Sequence, residues 1–170
     1  CSQVIRRALS EESRQRLARQ VLTLHEMSEL ALQAPSLGAF LESALDPLRS
    51  LIESDSATIL LLDEQEQALI VTASIGLQDN AADRVAIPLG KGFGGRVALS
   101  RQPLVIEDMA GFPVLTEEMR ERIRAIVGFP LVVHSELVGV VHVGFSHPRR
   151  FSRQEVAIVG LAAERLAVAV

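Results

Sequence analysis

Hydrophobic and polar positions follow two regimes along the chain. Leu17, Val21, Leu24, Ser28 and Ala31 recur at alternating spacings of four and three. That spacing predicts an amphipathic helix with a narrow seam, preceded by residues 2–16, which are crowded with Arg, Glu, Ser and Gln. "QAPS" at 33–36 breaks the pattern, and Ser36 is placed to cap a second helix with a face of Leu37, Phe40, Leu41, Ala44, Leu48, Leu51 and Ile52. Pro47 is expected to bend that helix or to sit in an early turn. From Ser56 onward the runs are short and apolar. "SATILLLD" and "ALIVTASIG", joined by the polar "EQEQ", predict an antiparallel hairpin.

Further strands are expected at 84–88, 104–106, 128–134 and 137–145, the last two forming a hairpin across "SE". Short helices are expected at 95–100 and 117–125, the second with Met119, Ile123 and Ile126 as its apolar side. A closing helix begins at Ser152, has Glu155 at the capping-box position and carries Val156, Val159, Ala163, Leu166 and Val170. Hairpins with helices before, between and after them predict an α+β fold on an antiparallel sheet, and not a doubly wound parallel one. In the last strand, alternation sets Val138, Val140, His142 and Gly144 on one face and Leu137, Val141, Val143 and Phe145 on the other.

At 170 residues and 48% apolar composition the chain can build a sizeable core. Its one cysteine is Cys1, which removes intrachain disulfides, Cys-rich metal sites and an internal Cys nucleophile, and predicts a cytoplasmic setting. A net charge of −4, with six Phe and neither Trp nor Tyr, argues against nucleic-acid binding. No apolar run is long enough for a membrane span, and the N-terminal stretch lacks the apolar centre of a signal peptide. The chain starts without Met and stops in mid-pattern at "AERLAVAV", so it reads as part of a longer protein.

"IPLGKGFGGRV" at 87–97 contains G-x-G-x-x-G. A dinucleotide site needs a helix of about three turns after such a loop, returning to a parallel strand, whereas Arg101, Gln102 and Pro103 end this one early. The catalytic partners of a kinase loop are missing, and Lys91 is not followed by the Ser or Thr of a P-loop. Gly90 and Gly92 are therefore expected to take angles closed to other residues, and Gly94 and Gly95 to let a short helix pack tightly on a strand.

"ATILLLDEQEQALIVTASIGL", "IPLGKGFGGRVALSRQPLVIEDM" and "VGFPLVVHSELVGVVHVGFSHPRRFSRQEVAIVGLAAERLAVAV" together resemble a GAF domain of the bacterial signalling type. In that resemblance Gly92 and Gly95-Arg96-Val97 stand at the G-x-x-G-x-V helix start, and Pro103 to Asp108 form the next strand and its Asp turn. Pro130-Leu131 match the P-L strand, and Gly139-Val140 match the G-V of the strand before the final helix. The likeness covers residues 36–170, with residues 1–35 as an amphipathic signalling and dimerisation helix. It implies five or six antiparallel strands with the terminal helices on one face. On the other face it implies a small-molecule pocket, under the loops of Gly90 to Gly95 and Glu107 to Ala125. It further implies an input module of histidine kinases of two-component systems, phosphatases, cyclases or transcription regulators.

The resemblance does not fix a ligand, since members bind cyclic nucleotides, haem, bilins, small metabolites or nothing. Bilin attachment and cysteine-based sulfoxide reduction both need Cys within the domain, and Cys1 lies before it. Of the Asn-Lys and Phe-Asp-Glu pattern of cyclic-nucleotide members, only Phe151 and Glu155 remain. Haem needs one axial His. His25, His134 and His147 read as solvated or strand-end residues, and His142, between Val141 and Val143, as a satisfied core residue. Adjacent Glu107 and Asp108 cannot oppose one another, so no catalytic role is expected.

"EEMRERIR" at 117–124 and Arg149-Arg150 read as solvated faces, with Arg120 or Arg124 alternatively reaching an anion. The expected pocket is bounded by Phe93, Met109, Phe112, Met119 and His142, with Arg120 toward an anion; Phe93, Met109, Phe112, Leu115 and Met119 could equally plug it. The expected function is a sensor that binds a small molecule and relays through terminal helices, as a homodimer, into an output domain beyond Val170. The alternative is a ligand-free relay module.

Overall fold

The computed structural model describes residues 2–77 and 85–170. A long helix α1 (Ser2–Gln33) and a second, α2 (Leu37–Ser50), lead into β1 (Ser56–Asp63) and β2 (Ala68–Ile75). Then come β3 (Ala86–Pro88), α3 (Gly92–Ser100), β4 (Leu104–Ile106) and α4 (Glu117–Arg122). β5 (Ala125–Val133), β6 (Glu136–Phe145) and α5 (Arg153–Ala169) close the chain. The six strands form one sheet in the order β3-β2-β1-β6-β5-β4, antiparallel throughout. The two expected hairpins thus lie in one sheet. Arg84, expected at the start of β3, falls outside the described residues, as does Cys1.

One face of the sheet, with Ala57, Ile59, Val127, Val141 and Val143, is buried against α2 and α5, and α1 packs on those two helices. The opposite face, with Leu60, Leu69, Ile126 and Val140, is buried against α3 and the connections around it, through Phe93, Val97 and Met109. Because both faces are covered, the strands read as continuous apolar runs and not as an alternation.

Local signals explain most boundaries. Ser36 Oγ accepts from Ala39 N at 3.2 Å and starts α2, and Pro47 is accommodated inside that helix. At α5 the full capping box is present, with Ser152 Oγ accepting from Glu155 N (3.1 Å) and Glu155 Oε2 accepting from Ser152 N (2.9 Å). In the β1–β2 turn, Asp63 Oδ1 accepts from Gln65 N and Glu66 N.

Several expectations require correction. α4 ends at Arg122, and Ile126 belongs to β5 together with Ala125, where Ala125 pairs with Phe145 and Arg124 N donates to Phe145 O. A β-branched stretch beside a waiting strand edge gains more from the ladder than from another helical turn. The β5–β6 turn is His134-Ser135, not Ser135-Glu136: both residues have left-handed angles (φ 48° and 68°), while Glu136 pairs with Val133. A register shift between Leu131 and Val132 leaves Val138 as an extra residue. The shift inverts the expected parity at its start: Leu137 joins the α3 side and Val138 the other, while Val140, Val141, His142 and Val143 keep the expected alternation.

The helix faces are also rotated. α1 buries Gln20, Leu24 and Met27, whereas Leu17 and Val21 stay 46% and 56% exposed. Gln20 replaces them because its Nε2 donates to Leu51 O at 3.0 Å, a contact that an apolar pattern does not register. α2 buries Leu45 in place of Leu37, and α5 buries Ile158, Ala162 and Ala167 beside Val159, Ala163 and Leu166, leaving Val156 half-buried and Val170 exposed. Arg149 is not a solvated residue. Its guanidinium lies over Phe145 (4.5 Å) and Phe151 (4.9 Å) and meets Glu155 Oε1 at 2.6 Å. Burial acts to raise the Glu155 carboxyl, but the Ser152 N–H and then Arg149 outweigh it and hold it below the ordinary value. Glu107 ties the segment before α4 to the same place, its carbonyl accepting from Arg149 N and its Oε1 from Phe151 N.

Candidate functional site

The glycine loop places a helix start over the sheet. Gly90 and Gly92 have φ of 82° and 59°, in the region that favours glycine. A Cβ on Gly95 would lie 2.3 Å from Pro88 O, so the first turn of α3 packs directly on the backbone leaving β3. Gly94 differs from expectation: a Cβ there would make only ordinary contact with Leu69 at 3.5 Å. The G-x-G-x-x-G spacing is met by turn and packing geometry.

From that helix start, Phe93 projects onto β5 and β6. A Cβ at Gly128 would stand 2.5 Å from Phe93 Cε1, so a bare glycine is what lets the ring lie there. The ring meets the His142 imidazole edge-on, with centroids 5.7 Å apart and planes at 84°. Thr58 and Leu60 from β1, Val71 from β2 and Ile87 from β3 complete the floor, and Leu115, Thr116, Glu118 and Met119 form the roof. These residues surround a cavity of about 60 Å³ that opens to solvent. Since one water needs roughly 10–15 Å³ on that scale, there is space for a few waters or a small molecule.

The polar groups in the cavity are few. Thr58 Oγ1 shares a hydrogen bond with Ser74 Oγ at 3.0 Å. Glu118 lies 3.5 Å from Arg122 at the roof. His142 is 6% exposed, and desolvation pushes its imidazole from 6.5 down to about 4, so the ring is neutral at neutral pH. Among the described residues its Nδ1 has no hydrogen-bond partner and is buried, which corrects the expectation of a satisfied core histidine. A buried polar atom left unpaired is costly.

Of the six expected pocket residues, the structure brings Phe93, Met119 and His142 together on this cavity. Met109, Phe112 and Arg120 line a neighbouring outer groove with Gly111, Pro113 and Arg124. Phe112 connects the two, its ring 6.2 Å from Phe93 and under the Arg96 guanidinium at 5.0 Å. Arg120 faces Glu117 at 3.3 Å, and Arg124 faces Asp108 at 3.2 Å. The Ala110 N–H, and after it Arg124, hold the Asp108 carboxyl below its usual range. Thr58, Leu60, Val71 and Ile87 were not anticipated, because their convergence depends on the pairing of β1 with both β2 and β6. One signal was available for Thr58, the lone hydroxyl inside an apolar run.

Among the described residues no group of three or more His, Cys, Asp or Glu could hold a metal ion, and no helix is long and apolar enough to cross a membrane. The cavity is also far below the roughly 300–1,000 Å³ of pockets for drug-sized ligands, so a haem does not fit beside His142 in this conformation.

Known proteins resemble this chain in sequence or in fold. The chain is similar to the HTH-type transcriptional activator RamA of Corynebacterium glutamicum, at 31% identity over 115 residues, 65% of this chain and 40% of that protein. It is similar to the Nif-specific regulatory protein of Azospirillum lipoferum, at 25% identity over 128 residues, 72% of this chain and 20% of that protein. It therefore spans well under half the length of these relatives. Among solved structures, the GAF domain of an Acinetobacter phosphoenolpyruvate-protein phosphotransferase superposes with a TM-score of 0.79 at 24% identity, over 88% of this chain and 91% of that one. Free methionine-R-sulfoxide reductase from Neisseria meningitidis superposes at 0.75 and 18% identity, over 86% and 85%. The GAF domain family model matches residues 34–170, so the family expected from the glycine loop and the two hairpins is the family to which this chain belongs: it is a GAF domain.

Proposed function

We propose that this GAF domain is the sensory part of a bacterial regulator, taking a small molecule into the cavity under α3 and α4 and relaying its presence through α1 and α5. The observation that carries this reading is a mainly apolar cavity between the sheet, α3 and α4, with the side chains of Thr58 and His142 in its lining. The relatives are a transcriptional activator and regulatory proteins, which favours control of gene expression over a histidine kinase as the output. The domain is not catalytic in this reading. The sequence has one cysteine, at position 1, and among the described residues lining the cavity there is a single carboxylate, Glu118. Native mass spectrometry of freshly purified protein tests the proposal: a retained small molecule, lost in His142→Phe, is expected. Protein of apo mass that binds nothing from a metabolite mixture overturns it.

One observation favours the second reading, a relay module without ligand: Phe93 and Met109 are 1% and 6% exposed and already fill much of this side of the sheet. Both readings include a homodimer through the terminal helices, supported by the apolar residues that α1 leaves in water, among them Val4, Ile5, Leu9, Leu17 and Val21. Sedimentation equilibrium checks this. A dimer weakened by Leu17→Asp with Val21→Asp is expected, and a monomer indifferent to both changes removes the bundle.

A further inference from the structure

We infer that a second site, among the helices on the other side of the sheet, takes up a phosphate group through three arginines that distant parts of the chain bring to one cleft. It is separate from the cavity under α3 and α4 and stands without the sensory reading. Arg16 and Arg19 of α1, Arg149 of the β6–α5 connection and the end of α2 line a cleft of about 400 Å³ that opens to solvent. That volume lies within the range of small-molecule pockets, so a phosphate fits with room for an organic body. Arg16 and Arg19 stand three residues apart on a helix and so project to the same side.

Arg149 is the fixed cation of the three. Its Nη2 donates to Glu155 Oε1 at 2.6 Å and its Nε to Arg150 O at 3.1 Å, while its guanidinium rests over Phe145 and Phe151. A guanidinium has five N–H donors, so these two bonds leave others unspent on a group already held in place. Arg16 and Arg19 are exposed, and their long side chains supply the movable half of the site. Two features oppose an anion. The end of α2 carries partial negative charge, but its carbonyls at Leu48, Arg49, Ser50 and Leu51 already accept from Leu51 N, Ser54 N, Glu53 N and Gln20 Nε2. Of the two carboxylates in the lining, Glu155 is paired with Arg149 and Glu53 is exposed to water. The hydroxyls of Thr23 and Ser50 donate to the carbonyls of Arg19 and Pro47, which leaves recognition to the guanidiniums. Their forks match phosphate oxygens in pairs. Every residue of α1 from Ser2 to Arg19 is exposed, so a phosphate shared by Arg16, Arg19 and Arg149 would fasten one more turn of α1 to the body.

Titration with inorganic phosphate at neutral pH and constant ionic strength tests this, followed by the side-chain and amide resonances of Arg16, Arg19 and Arg149. Saturable shifts are expected, together with slower amide exchange at Arg16 and Arg19. Arg16→Gln with Arg19→Gln should weaken binding about ten-fold or more, as the loss of charge-assisted hydrogen bonds does. Glu53→Gln should strengthen it by removing the opposing charge. All three positions are exposed, so the fold is retained. Arg6→Gln with Arg7→Gln takes the same charge from α1 outside the cleft and should leave binding unchanged. Shifts that do not saturate, or equal weakening by the changes at Arg6 and Arg7, reveal general charge attraction and overturn the site. Methyl phosphate separates the two sources of the group: binding at least as tight as that of inorganic phosphate supports a phosphate ester, and weaker binding supports the free ion.

Discussion

Acid should destabilise this domain through one side chain. In the unfolded chain His142 titrates near 6.5, whereas in the fold desolvation holds it near 4. Between those values the unfolded state binds a proton that the native state refuses, so stability falls as pH falls, starting at the unfolded value and levelling off below the folded one. For one such group the loss between about pH 7.5 and about pH 5 works out at about 2 kcal/mol, a large share of the 5–15 kcal/mol that a domain of this kind has in total. Asp108 and Glu155 are held low instead, so their contributions are present above the ordinary carboxylate range and vanish at lower pH, outside this window.

Urea denaturation of the wild type and of His142→Leu at the two pH values isolates the effect. The variant loses the edge contact with Phe93 at both pH values, so that cost cancels in the double difference. The wild type should lose about 2 kcal/mol more than the variant on acidification. Equal losses would show that His142 takes up a proton inside the fold, and would refute the account of its burial.

Gly128→Ala should cost about 1–3 kcal/mol and displace Phe93, as an added methyl in a packed core does; an unchanged denaturation midpoint contradicts the seat described for that ring. Arg149→Met should cost about 1 kcal/mol, given that the Arg149 and Glu155 side chains are 24% and 21% exposed, and Arg149→Lys should recover less than half because an ammonium does not stack; full recovery by Lys would deny the ring contacts a role. Ser135→Gly should stabilise by about 0.5–1 kcal/mol, since Ser135 holds a left-handed angle that glycine reaches freely, and a lower melting temperature would argue against the turn as described.

What could be read in the sequence was what local chemistry decides. Ser152 with Glu155, Ser36, the "EQEQ" turn and the two hairpins all announce themselves within a few residues, and the structure has each. The faces of the helices did not, because Gln20 and Ala162 are buried by what lies opposite them and not by their own hydrophobicity. Nor did the bulge at Val138, whose signal is a mismatch between two strands and is invisible in either alone. Ala125 and Ile126 looked helical beside Met119 and became strand through pairing with β6. The cavity shared that fate. Phe93, Met119 and His142 stand out as large or polar residues in marked places, whereas Thr58, Leu60, Val71 and Ile87 converge through sheet register, which is long-range information.

The first part of α1 sets up a separate thermodynamic unit. Residues 2–19, about 27 Å of helix, are exposed throughout, and the first side chain buried on the body is Gln20. A helix of that length with nothing packed on it sits near the edge of stability in water, because nucleation is costly and propagation barely favourable. Its amides should therefore exchange with solvent orders of magnitude faster than those of β1 or β6, through local fraying instead of global opening. The segment then acts as a hinged arm whose degree of order follows whatever covers it, so that its helicity rises with protein concentration if copies pair along it. Circular dichroism over a dilution series would read that order while the sheet beneath stays unchanged.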